Sequence, residues 1–139
     1  MPPYGNRASH CFALNGNIFN PRVDGLEQVV TTYQQALSNA KLYGPTHFSP
    51  ILSTVNAMAE SEPVNQQHQK FSILVIITDG IINDMNKTID EIVRGSELPL
   101  AIIIVGVGDA DFSGMDTLDA DDEALYSTAY RKYMAADIV

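Results

Sequence analysis

The chain has 139 residues, 45% of them hydrophobic, which is enough for one domain with a substantial core. Its formal net charge of −9 argues against nonspecific binding to nucleic acid and against direct attraction to anionic lipid, since both need clustered Lys and Arg. The single cysteine, Cys11, excludes an internal disulfide and favours a reducing compartment such as the cytosol.

The first part of the chain predicts a short strand, a loop and a long helix. Residues Ser9 to Leu14 alternate weakly between apolar and polar, which indicates a strand, and the following Asn, Gly and Pro residues indicate a loop. From Asp24 to Ala40, apolar residues recur at three- and four-residue steps, which predicts an amphipathic helix. These residues are Leu26, Val29, Val30, Tyr33, Leu37 and Ala40.

A second amphipathic segment follows the break at Tyr43, Gly44 and Pro45. It opens at Thr46, and the pair Ser49 and Pro50 is typical of a helix start, where the missing N–H of proline is not needed. The polar residues 61 to 70 then predict a surface loop.

Two apolar runs predict buried strands joined by a helix. Residues 71 to 80, FSILVIITDG, end abruptly in Thr78, Asp79 and Gly80, and residues 98 to 107, LPLAIIIVGV, form the second run. Between them, Asn83 or Asp84 is predicted to cap a short helix that continues to about Arg94. A strand, a helix and a second strand make a βαβ unit with parallel strands, so the fold class is α/β with helices on both faces of the sheet.

The last part of the chain begins with an acidic segment and ends with apolar residues. Residues Asp109 to Asp122 predict turns, and Glu123 to Met134 predict a final helix. The apolar ending, Ala135 to Val139, indicates a chain that is cut short or about to enter another strand.

The motif search finds no signature of catalysis. Asp109, Asp111, Ser113 and Gly114 resemble the opening of a calcium-binding EF-hand loop, but Ala120 stands where that loop needs glutamate. No motif of a serine nucleophile or a phosphate-binding loop occurs, and the three histidines lack the spacing of a zinc site. We therefore predict no catalytic residue and no enzymatic activity.

Asp79 and Thr46 remain as candidates for function. Asp79 follows a predicted strand, and the carboxyl ends of parallel strands are where α/β proteins bind ligands. Both side chains offer hard oxygen donors, which suit magnesium or calcium. From spacing alone, the simpler interpretation is that Asp79 is a turn or cap residue and that Thr46 is a helix N-cap.

Three segments carry a resemblance to a known family. LYGPT at 42 to 46, ITDG at 77 to 80, and LPLAIIIVGVGDADFSGMDTLDADD at 98 to 122 are similar to the von Willebrand factor A-type domain of copines. HCFALNGN at 10 to 17 and the final DIV also fall where copines have similar segments, so the resemblance spans nearly the whole chain.

The resemblance implies a Rossmann-like A-type domain with a mostly parallel sheet and a metal-ion-dependent adhesion site. In that family, three loops form the site, and Thr46 and Asp79 match the second and third of them. The first loop, D-x-S-x-S, is missing, as is the strand before it, so residues 1–139 correspond to a partial domain with an incomplete magnesium or calcium site. The absent strand would lie beside the 71 to 78 strand, so we expect a fragment or truncated product with an exposed strand edge.

The resemblance also implies a function. Copines carry two C2 domains, absent from this chain, that bind phospholipid with calcium, while the A-type domain recruits intracellular proteins. We therefore expect a non-enzymatic protein-binding module in the cytoplasm, whose parent protein is recruited to the plasma membrane when calcium rises. Two alternatives remain: a substrate-recruiting domain of a RING-type ubiquitin ligase, and a fragment without function.

Overall fold

The computed structural model describes residues 9–139, and the chain divides into two compact units, with the boundary along the chain between Pro45 and Thr46. The first unit contains helix α1 (Gly25–Leu37), which confirms the predicted helix. None of the residues of α1 is buried, so its apolar side chains are exposed. Within residues 9–139, no helix is both long enough and apolar enough to cross a membrane.

The strand predicted at Ser9 to Leu14 is wrong. The Ser9 hydroxyl donates to the Cys11 carbonyl, and the Gly16 N–H donates to the Ala13 carbonyl, so the segment is shaped by local turns. A strand needs a neighbouring strand to satisfy its backbone, and none lies beside these residues in the described part of the chain.

The second unit holds the sheet and the remaining helices. Helix α2 starts at the predicted Ser49, and the two predicted apolar runs both form strands. In chain order, the elements are α2 (Ser49–Ser61), β1 (Ser72–Thr78), α3 (Met85–Gly95), β2 (Leu100–Gly106), α4 (Ser113–Asp119), β3 (Tyr126–Ser127) and β4 (Lys132–Tyr133).

Strands β1 and β2 pair in parallel, from Ser72 opposite Leu100 to Thr78 opposite Gly106. Helix α3 connects them, so the predicted βαβ unit and the α/β fold class are confirmed. Because parallel strands end at the same edge of a sheet, the loops that follow β1 and β2 lie side by side. This edge is where sequence analysis places Asp79.

The two faces of the sheet differ in burial. Even-numbered strand residues such as Leu100 and Ile102 face a core built with side chains of the helices in this unit. Ile73, Val75 and Ile77 point the opposite way and are 62%, 53% and 71% exposed. Strand β1 was expected to be buried throughout, but the helices of this unit cover only one side of it. The buried core cluster consists of Phe48, Leu52, Ile92, Val93, Leu100, Ile102, Leu118 and Leu125.

The segment from Asp109 to Asp122 contains a helix that the sequence analysis did not predict. Helix α4 occupies Ser113–Asp119, and it is held to the core by Leu118, which is buried. The helix ends at Ala120, whose backbone is left-handed with φ of 55°. A seven-residue helix has too short a repeat to stand out from the acidic residues around it.

The helix predicted at Glu123 to Met134 is wrong, because this segment forms the β3–β4 hairpin. Leu125 and Ser127 are buried while Tyr126 between them is exposed, which is the alternation of a strand. The Tyr126 and Tyr133 rings meet edge to face across the hairpin, with centroids 4.9 Å apart. The turn has no glycine or asparagine, and Arg131 takes the left-handed conformation (φ 53°), so the usual sequence signal of a hairpin is missing.

A buried hydrogen-bond network fixes the hairpin to α3. The hydroxyl of Ser127, which has no solvent exposure, donates to the Asp90 carboxylate at 2.6 Å. The same oxygen of Ser127 accepts the Tyr130 N–H at 3.0 Å. The hairpin therefore depends on a contact with a residue 37 positions earlier in the chain.

We predict that Ser127→Ala lowers the free energy of unfolding by about 1–3 kcal/mol, because it leaves the Tyr130 N–H without this partner and breaks the bond to Asp90. Urea denaturation followed by circular dichroism measures this. Thr128→Ala, one residue away in the exposed turn, is the matched control and should change stability by much less. Equal losses for the two variants would contradict this role of Ser127.

Candidate functional site

The carboxyl-terminal edge of the sheet brings two loops into close contact. Asp79 follows β1 directly and its side chain is exposed. The next residue, Gly80, has a φ of 152°, and a Cβ atom added to it would lie 2.8 Å from the Cβ of Ala110. Only glycine fits here without a shift of one loop, so the loop after β1 and the loop after β2 pack against each other.

Thr46 lies against the loop that begins at Asp79. Its N–H donates to the Asn83 side-chain oxygen at 2.7 Å, and its carbonyl accepts the Asn83 N–H at 2.9 Å. The backbone of Thr46 is thus held by one residue through two hydrogen bonds, while its side chain is exposed. The structure therefore joins Thr46, through Asn83, to the loop that begins at Asp79.

Asp84 joins the starts of two helices. One oxygen of its carboxylate accepts the Phe48 N–H at 2.9 Å, and the other accepts the Ser49 N–H at 3.0 Å. These are N–H groups at the start of α2, where a carboxylate also interacts favourably with the helix dipole. The Asp84 backbone carbonyl and carboxylate accept the backbone N–H and the hydroxyl of Thr88 in α3.

The prediction that Asn83 or Asp84 stands at the N-cap position of α3 is confirmed, but the expected capping hydrogen bond is not formed. Asp84 is the N-cap residue of α3, but its side chain bonds no backbone N–H of that helix. It caps α2 instead, 35 residues earlier in the chain. The N-cap residue of α2 is Phe48, so the simpler interpretation of Thr46 as an N-cap is wrong.

These hydrogen bonds change the acidity of Asp84. Partial burial opposes its ionisation, but hydrogen bonds from the Ser49 hydroxyl, from the N–H groups of Phe48 and Ser49, and from Thr88 outweigh that effect. The pKa of Asp84 is therefore lowered from its ordinary value of 3.8. The ionised carboxylate is the form that holds the two helices together.

We predict that Asp84→Asn lowers the free energy of unfolding by about 1–2 kcal/mol at neutral pH, because an amide accepts these hydrogen bonds less well than a carboxylate. The pKa of Asp84 is lower in the folded state than in the unfolded state. Its stabilising contribution is therefore complete above pH 3.8 and is lost as the pH falls through the folded-state pKa. The measured difference between wild type and variant should shrink over that acidic range.

Urea denaturation at a series of pH values measures this difference. Asp121→Asn changes the charge equally in an exposed loop and serves as the control, with little effect at any pH. A pH-independent loss of stability in Asp84→Asn would contradict the role given to the carboxylate.

The donor set at this edge fits only part of a metal site. The Thr46 hydroxyl and the Asp79 carboxylate are hard oxygen donors of the kind that magnesium and calcium prefer. Among residues 9–139, however, no three His, Cys, Asp or Glu side chains are grouped so that they could hold a metal ion. The assignment of Thr46 and Asp79 as two members of a divalent-cation site thus stays a prediction.

The EF-hand-like segment has a different structural role. The Asp111 carboxylate accepts the Ser113 N–H at 2.9 Å at the start of α4, and hydrogen bonds from the Ser113 N–H and hydroxyl lower the pKa of Asp111. Gly114 lies inside the helix, where an EF-hand needs a sharp turn. The rejection of an EF-hand is consistent with this geometry.

Sequence reasoning missed the contacts that Asn83 and Asp84 make with the 46–49 segment. Both residues were considered only as caps of the helix that follows them. Asn83 and Asp84 instead bond to residues 35 to 37 positions away, and no local pattern reports such a pairing.

Two parallel strands joined by helix α3 define the fold of this chain as a member of the α/β class. The sequence identifies its family, since the Copine family model matches residues 1–139. The chain is also 43% identical over 137 residues to Protein BONZAI 1 of Arabidopsis thaliana. The chain therefore belongs to the copine family, which confirms the resemblance. The alignment covers 99% of the chain and 24% of that relative, so the chain spans about a quarter of the length of the relative.

Proposed function

We propose that this chain is a protein-binding module of a copine-like protein. The observation that carries the proposal is the match to the Copine family model along residues 1–139. The expected partners are intracellular proteins. The parent protein would be cytoplasmic and would move to the plasma membrane when calcium rises, through C2 domains outside this sequence.

The charge of the chain supports the assignment of protein binding to this module and of membrane binding to other domains. A net charge of −9 repels anionic phospholipid, so membrane contact is better assigned to other domains. We also propose that the module is not enzymatic, since its sequence contains no motif of a nucleophile or a phosphate-binding loop. Its contribution would then be to select the protein that the parent brings to the membrane.

The proposal can be tested by competition and by vesicle sedimentation. Full-length BONZAI 1, immobilised on beads, captures its protein partners from an extract, and an excess of this chain should displace them because the aligned regions are 43% identical. In parallel, the chain alone should not sediment with phosphatidylserine vesicles, with or without calcium. Failure of the chain to compete, or binding of the chain alone to the vesicles, would contradict the proposal.

We further propose that Thr46 and Asp79 supply two ligands of a magnesium or calcium site whose remaining loop, D-x-S-x-S, lies outside this sequence. The support is that Asn83 holds Thr46 against the loop that begins at Asp79, with both side chains exposed. When bound, the ion would offer a positive centre to a carboxylate of a partner. Two protein ligands leave most coordination positions to water, so this chain alone should bind the ion weakly.

We predict a small stabilisation of the chain by magnesium or calcium. For a site with a Kd of roughly 10⁻³ M, an ion concentration of ~10 mM raises the free energy of unfolding by about 1.4 kcal/mol. The double variant Thr46→Ala and Asp79→Ala should abolish the rise in melting temperature, while Thr128→Ala with Asp122→Ala, a control of equal charge change, should retain it. An equal ion-induced rise in the double variant and the wild type would refute the site.

A further inference from the structure

Asn83 joins the loop after β1 to the segment that precedes α2. Its side-chain oxygen accepts the Thr46 N–H at 2.7 Å, and its own N–H donates to the Thr46 carbonyl at 2.9 Å. The two residues are 37 positions apart, so the fold and not the local chain brings them together. Both backbone polar groups of Thr46 are paired in this way.

The two bonds use the backbone of Thr46 and leave its side chain exposed. Fixing the backbone of a residue costs conformational entropy, and here that cost is met when the chain folds. The branched Cβ atom of threonine also restricts the directions that its hydroxyl can take. Once Asn83 has fixed the backbone of Thr46, few orientations of the hydroxyl remain.

Asn83 is itself held on both sides along the chain. Asp84, the next residue, accepts two N–H groups at the start of α2. On the other side, Gly80 lies so close to Ala110 in the loop after β2 that an added Cβ atom would be 2.8 Å from the Ala110 Cβ. The loop that begins at Asp79 is therefore a firm support for Thr46.

We propose that Asn83 is the positioning residue of the cation site, and that it holds Thr46 in place before an ion binds without contacting the ion itself. The inference rests on the proposed magnesium or calcium site of Thr46 and Asp79. Residues that orient the ligands of a metal ion typically change its affinity by about 10- to 100-fold when they are replaced. Asn83 thus sets the affinity of a site in which it is not a ligand.

The variant Asn83→Ala tests this role, because it removes the acceptor of the Thr46 N–H and leaves the bond to the Thr46 carbonyl. Magnesium chloride and, in a separate series, calcium chloride are titrated into the whole chain, and two-dimensional NMR gives the Kd. Sodium chloride keeps the ionic strength constant, since a net charge of −9 attracts any cation. The Kd should rise roughly tenfold, and an unchanged Kd would overturn the proposal.

Asn65→Ala is the matched control. The Asn65 side-chain oxygen accepts the N–H groups of Gln67 and His68 at 2.9 and 2.8 Å, in the loop that precedes β1. The same substitution therefore removes the same kind of bond at the opposite end of the strand from Asp79. Asn65→Ala should leave the Kd unchanged, whereas equal weakening by both variants would indicate a general loss of structure and would overturn the proposal.

Two further measurements separate positioning from direct ligation. In a Thr46→Ala background, Asn83→Ala should have no additional effect on the Kd, because Asn83 acts through the Thr46 hydroxyl. An additional loss of similar size would make Asn83 a ligand and overturn the proposal. In the wild type without ion, the Thr46 amide should exchange with solvent more slowly than in an unstructured peptide, and equally fast exchange would overturn the proposal.

The titration also separates this inference from the proposed function. If the wild type binds an ion and Asn83→Ala binds it equally well, the cation site stands and only the role of Asn83 falls. If the wild type binds neither magnesium nor calcium, the cation site and the role of Asn83 both fall.

Discussion

The candidate site depends on the hydrogen bonds that the Asp84 carboxylate accepts. It accepts the N–H groups of Phe48 and Ser49 at the start of α2, and its own residue starts α3. Both helices therefore begin beside one negative charge, which is the charge that helix N-termini favour. The neighbouring Asn83 adds the two bonds to Thr46, so Asn83 and Asp84 together hold the backbone of Thr46, Phe48 and Ser49.

The parallel pairing of β1 and β2 determines what this edge contains. It places the loops after both strands side by side, and the close approach of Gly80 to Ala110 shows how tightly they pack. The pairing also divides the backbone groups of β2 between two edges. One edge is used by β1, and on the other edge the Ile102 N–H donates to the Ile138 carbonyl.

Family, charge and surface are mutually consistent. The net charge of −9 disfavours nonspecific binding of this copine-family chain to nucleic acid or anionic lipid, which is consistent with the proposed binding of proteins. Thr46 and Asp79 add exposed oxygen donors, which belong to the proposed cation site. The proposed protein binding and the proposed cation site rest on different observations and can be tested separately.

The sequence by itself determined the helices and strands that have a clear local pattern. The three- and four-residue steps from Asp24 to Ala40, the proline at position 50 and the apolar runs that became β1 and β2 each act over a few residues, so local preference was sufficient. The parallel arrangement followed, because the long run between the strands had room for a helix.

Only the tertiary structure decided the β3–β4 hairpin, the cap of α2 and the position of Thr46. The β3–β4 hairpin replaces a predicted helix because Ser127 finds Asp90, and Asp84 caps α2 because the fold brings Phe48 and Ser49 to it. Thr46 could be chosen from the sequence, but its place beside the Asp79 loop depends on Asn83. These contacts join residues 35 to 37 positions apart, and a pattern read over a few neighbouring residues carries no information on them.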